Sequence, residues 1–176
     1  RDNRTVAEYR LACVAYRMGD STGAFKQTDE YLRKHPADRR GGNLLLFKMN
    51  VLAKRGAEAE AELESTREKI GRHAKRYGAA TDIAADNILT DFYLRQGGND
   101  KAKDRYRHIV MNFAEVTREY IEDHRPIPPA LERGHDKAAT QLASIAIKDK
   151  DYAEATRWLN IVRYDQNMKR RARLML

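Results

Sequence analysis

One cysteine, Cys13, is all that the 176 residues contain, which excludes an internal disulfide framework and a cysteine-based zinc site. Only four prolines occur, and aromatics make up 8% of the chain. That scarcity, beside many alanines, aliphatics and charges, fits amphipathic helices better than sheets. No apolar run approaches the length needed to cross a bilayer. Also missing are a His-Glu-x-x-His pair, a Gly-x-Ser-x-Gly elbow, a Walker loop and a dinucleotide fingerprint. Catalysis therefore has no positive support, and no cofactor or metal is implied.

What is present is positive charge. The net charge is +8 and the isoelectric point about 9.6, which favours acidic partners: an acidic peptide, a nucleic acid or an anionic surface. The chain begins at Arg1 and ends in a basic run, Met168 to Leu176, that reads as an interrupted helix. It is expected to be a piece of a longer protein, with its compartment, cytoplasm or periplasm, decided elsewhere.

Four times the same local grammar recurs: an apolar-periodic helix, a turn, an alanine five residues after the turn's first residue, and a second helix. The turns begin at Gly19, Gly56, Gly97 and Lys150, and the alanines are Ala24, Ala61, Ala102 and Ala155. In the first unit Thr5 and Glu8 form a capping box. Gly19 supplies the left-handed geometry that stops a helix, and Asp20 caps the next. Leu11-Ala12, Gly19-Asp20, Ala24 and Pro36 together resemble the tetratricopeptide repeat, as do Leu142-Ala143, Asp151-Tyr152 and Ala155 near the other end.

The resemblance implies an all-α fold, a right-handed α-α superhelix of about four helix-turn-helix units near residues 5–36, 42–77, 82–121 and 136–165, in one domain. Lys48 and Met49 make the second unit the poorest match. Successive turns lie 37, 41 and 53 residues apart, longer than the family's period of about 34. The longest spacing contains Pro126, Pro128 and Pro129, which predict an exposed loop over 122–134.

The same resemblance implies a scaffold for protein–protein interaction that holds a peptide or helix of an acidic partner in the concave surface of its first helices. Modules of this kind occur in bacterial secretion and polysaccharide-export machines. Aligning the units on their turns places Arg17, Lys54, Arg95 and Lys148 in one column, beside Cys13, Asn50, Asp91 and Ser144 one helical turn earlier. With Tyr9 and Asn87 these make the expected partner-binding groove. The competing reading is that the four cations complement helix dipoles. Tyr9 and Cys13 stand where the chaperone-binding members carry a carboxylate clamp, so that specificity is not expected.

Three further features invite a second explanation. Arg39-Arg40-Gly41-Gly42-Asn43 reads as an inter-repeat loop with Asn43 as N-cap, or as an anion site. His124 and His135, with Glu122, Asp123, Glu132 and Asp136, read as a solvated insertion more readily than as metal ligands. Basic clusters at Lys69–Arg76, Lys101–His108 and Lys169–Arg173 suit either nucleic-acid or polyanion binding or ordinary solvated helix faces.

Overall fold

A computed structural model describes residues 3–163 together with Asn167, Arg170 and Leu174; the side chain of Glu119 is outside that description. Most of the terminal basic run, including Lys169, Arg171 and Arg173, also lies outside the described residues.

All regular structure among the described residues is helical: α1 (Asn3–Arg17), α2 (Ser21–Lys34), α3 (Arg40–Leu52), α4 (Glu60–Arg72), α5 (Ala74–Tyr77), α6 (Ala79–Arg95), α7 (Asn99–Glu122), α8 (Pro129–Lys148) and α9 (Tyr152–Leu159). A 3-10 turn, Ala57–Ala59, precedes α4. The chain divides into two compact units, residues 1–89 and 90–176.

Four turns punctuate the helices where the sequence places them. Gly19, Gly56, Gly97 and Lys150 all adopt positive φ, at 77°, 94°, 77° and 61°, the left-handed region that ends helices. Asp20 and Asp151 then cap the following helices, each carboxylate accepting from the backbone N–H three residues on at 2.9 Å. After three turns the predicted alanine is buried: Ala24, Ala102 and Ala155. Ala61 is the exception and is exposed. The tight 3-10 turn after Gly56 rotates α4, so that Ala59 and Leu63 enter the core instead.

In the first unit α1 packs on α2 and α3, and α3 on α4 and α5. Ala12, Tyr31 and Leu44 form a buried cluster, flanked by Tyr9, Cys13 and Tyr16. Each large apolar side chain so buried contributes roughly 1.5–3 kcal/mol. The Tyr16 hydroxyl lies 2.9 Å from the Thr28 hydroxyl, and burial pushes its pKa up to about 12. In the second unit α8 packs on both α7 and α9.

Three local expectations are corrected. Thr5 lies inside α1, not at its cap, and Glu8 reaches the end of α2. Arg40 through Asn43 are not a loop: α3 starts at Arg40, and Asp38 accepts from the Arg40 backbone N–H at 2.9 Å. Gly41 and Gly42 are buried helical residues because neighbouring side chains occupy the space a Cβ would need. The proline loop is shorter than expected, residues 123–128. Proline at the first helical position lacks only an N–H that has no helical partner there, so Pro129 begins α8. Leu131, Gly134, His135 and Asp136 are consequently buried.

Glu8 carries a testable pH dependence. Its carboxylate lies 2.6 Å from His35 Nε2 and 3.4 Å from Lys34 Nζ. The His35 hydrogen bond, aided by Lys34 and opposed by desolvation, lowers its pKa from 4.5 to about 2. A depressed folded-state pKa stabilises above the unfolded value and is lost as pH falls through the folded one. Acid titration at fixed urea, followed by circular dichroism, should show stability falling between pH 4.5 and about 2. Glu8→Gln should flatten that part of the curve, and an unchanged slope would remove Glu8 as its source.

Candidate anion-binding site

Basic residues occupy the last turns of α2 and α4, Arg33 and Lys34 in one and Lys69 and Arg72 in the other, where cations complement helix carbonyls. Packing of α2, α3, α4 and α5 turns this local preference into a shared hollow. A cavity of about 380 Å³ is lined by Asp29, Leu32, Arg33, Pro36, Leu45, Lys69, Arg72, His73, Arg76 and Tyr77. Four permanent cations and one histidine thus face a single carboxylate.

The walls are held in specific ways. Arg76 Nη1 donates to the carbonyl of Pro36, fastening α5 to the end of α2. The His73 ring meets Tyr77 edge-on, with centroids 5.9 Å apart. Tyr77 sits against α3 where glycine leaves room: a Cβ on Gly42 would stand 2.9 Å from both Cβ and Cγ of Tyr77. Burial raises the Tyr77 pKa. Lys69 and Arg72 are exposed and have no ion-pair partner among the described residues. Arg33 is exposed too, and adds a smaller contribution to the lowering of the Glu30 pKa that comes mainly from its hydrogen bond with Lys34.

A smaller hollow of about 240 Å³ involves Glu8, Leu11, Gln27, Glu30, Tyr31 and Lys34. Its charges are internally matched: Lys34 Nζ lies 2.7 Å from Glu30 and 3.4 Å from Glu8. The basic cluster of α7 is likewise engaged, with Lys103 Nζ 3.4 Å and Arg107 Nη2 2.7 Å from Glu154 of α9. Lys101 lies over the Tyr93 ring. Arg170 is exposed, the only described member of the third cluster.

The expected groove residues have varied fates. Arg17, Arg95 and Lys148 are the exposed last residues of α1, α6 and α8, whereas Lys54 lies two residues beyond the end of α3. Asn50, Asn87 and Ser144 each donate to the carbonyl four residues earlier in their own helices, at 2.9, 3.1 and 3.0 Å. Asp91 receives both of its oxygens' bonds from Lys137 of α8, at 2.8 and 2.7 Å. Tyr9 packs on Tyr31 beneath Arg40, and burial raises its pKa, with a further contribution from half-buried Cys13. His135 lies 3.0 Å from the neighbouring Asp136, while His124 is exposed in the loop. Among the described residues no three potential metal ligands gather.

Sequence reasoning singled out Lys69, Arg72, His73, Lys75 and Arg76 as one basic cluster but missed Arg33, which the packing of both α2 and α4 on α3 brings to the same hollow. The available signal was the matching pair of basic last turns. Comparison with protein-family models, curated proteins and solved structures finds no match for the chain. Among the described residues no helix is long and apolar enough to cross a membrane.

Proposed function

We propose that the chain is a tetratricopeptide-like helical scaffold, a right-handed superhelix of about four helix pairs, that works by binding and not by catalysis. Its ligand is an acidic segment of a partner protein, held at the cavity between α2, α4 and α5. The observation that carries this reading is the gathering of Arg33, Lys69, Arg72 and Arg76 around one hollow with a single carboxylate. Clusters of cations of this kind recognise anions through charge-assisted hydrogen bonds. Support for the repeat architecture comes from the four positive-φ turns and the buried alanines that follow three of them.

The site is on the second helices of the repeat pairs, not on the first-helix groove expected from the family. Three short polar residues of that groove bond back to their own helices, and Asp91 is engaged by Lys137.

A fluorescein-labelled deca-glutamate peptide should bind the full chain, with affinity that falls as salt rises. Lys69→Gln with Arg72→Gln should weaken it at least about tenfold, a difference of about 1.4 kcal/mol. Lys54→Ala and Arg95→Ala, each made alone, should leave the affinity within about twofold of wild type, below 0.5 kcal/mol. The opposite pattern would move the partner to the first helices, and salt-insensitive binding would remove the electrostatic basis.

A further inference from the structure

We infer that the cavity between α2, α4 and α5 is a phosphomonoester site, which reads a phosphorylated serine or threonine in the partner segment. This rests on the acidic-partner reading above and narrows its chemistry. One carboxylate needs a single guanidinium fork, so a lone glutamate or aspartate would leave most of the cations here unmatched. A phosphoserine carries about −1.5 to −2 charge at neutral pH and three strong acceptor oxygens. That is the anion able to engage Arg33, Lys69 and Arg72 together, with His73 at the same rim.

Shape agrees with charge. The cavity's volume of about 380 Å³ leaves room for a phosphorylated side chain with part of its peptide, and its lining includes the apolar Leu32, Leu45 and Pro36. Arg76 is partly committed to the Pro36 carbonyl and serves as wall more than as free donor. Asp29, the only carboxylate lining the cavity, disfavours a second anion and suits a basic residue next to the phosphorylated one.

A nucleic-acid strand fits less well. It presents a phosphate at every nucleotide and needs an extended basic track with stacking aromatics. Two of the α7 cations, Lys103 and Arg107, are engaged with Glu154, and Tyr77 is packed against α3. Lys69 and Arg72, which have no ion-pair partner among the described residues, lie together with Arg33 at one hollow.

The test is a ¹H–¹⁵N NMR titration of the full chain at low ionic strength with N-acetyl-O-phosphoserine N-methylamide. N-acetylglutamate N-methylamide is the carboxylate control. The phosphoserine probe is expected to shift the amides around Arg33–Pro36 and Arg72–Tyr77, and to saturate at a concentration at least about tenfold lower than the control. That ratio corresponds to about 1.4 kcal/mol. Lys69→Gln with Arg72→Gln should abolish that preference while leaving the remaining spectrum in place, since both side chains are exposed. Equal affinity for the two probes would overturn the phosphate assignment and leave the acidic-partner reading intact. Absence of shifts at the cavity from either probe, with deca-glutamate binding unaffected by the double substitution, would overturn both. Tighter binding of deca-uridylate, with shifts spreading along α7, would overturn the phosphopeptide in favour of nucleic acid.

Discussion

Asp86→Ala should lower the stability of the first unit by about 3 kcal/mol, the lower end of the roughly 3–5 kcal/mol expected when one partner of a buried ion pair is removed. Arg67 and Asp86 are both buried, and form a two-pronged pair: Nε to Oδ1 at 2.6 Å and Nη2 to Oδ2 at 2.7 Å. The loss comes mainly from stranding the guanidinium, which cannot shed its proton in compensation. Asp82 lies 3.1 Å from Nη1 of Arg67 and retains part of the match, which places the expectation at the lower end. Replacing both partners by shape-matched apolar residues, Arg67→Met with Asp86→Leu, should recover most of the loss, because the desolvation cost disappears with the charges. Urea unfolding followed by circular dichroism, with amide exchange in α4 as the local probe, measures both. A loss under about 1 kcal/mol for Asp86→Ala would mean that the pair adds no more than an exposed one.

That pair went unnoticed in the sequence, and the reason is general. A charge on a helix reads as solvated unless something reveals that the helix faces another on that side, and periodicity did not reveal it for Arg67. The turns were legible because they are local: Gly19, Gly56 and Gly97 announce positive φ by residue type, and Lys150 was found by its spacing to Ala155. The alanine register failed once, at Ala61, where a three-residue 3-10 turn changes the rotation of the following helix without changing the residue pattern. Pro129 was misread because proline breaks helix interiors yet is accommodated at a first turn. The cavity is a product of packing, since Arg33 and Arg72 sit on different helices and only their common position in a last turn hinted at a shared role. The expected first-helix groove rests on a different kind of reasoning. Its members were chosen by alignment, and alignment does not show that an asparagine or serine will bond to its own helix.

Gly42→Ala should destabilise the first unit by a net amount of about 2 kcal/mol, although alanine is the better helix former. Two opposing terms decide the sign. Within α3, exchanging glycine for alanine gains about 1 kcal/mol of helix propensity. Against that, the new methyl would stand 2.9 Å from Cβ and Cγ of Tyr77 and 3.1 Å from Cγ2 of Thr81. Overpacking of this kind costs up to about 3 kcal/mol when the neighbours cannot turn away. Tyr77 cannot, because the clash is at the root of its side chain, so the α5 backbone must shift. Gly41 supplies the control. There the closest atom is Cδ2 of Leu32, at 2.6 Å, the far end of a flexible side chain. Gly41→Ala should therefore come out near zero, its propensity gain of about 1 kcal/mol offset by a rotamer change of similar size. The pair of substitutions also separates packing from function. Displacing Tyr77 moves the wall that carries His73 and Arg76, so Gly42→Ala should weaken the phosphoserine probe in a sample that remains folded, whereas Gly41→Ala should weaken it far less. Thermal unfolding and the NMR titration on the same samples give both readings. If Gly42→Ala raised stability by the propensity term alone, the contact between α3 and α5 would not be the close one that shapes the cavity.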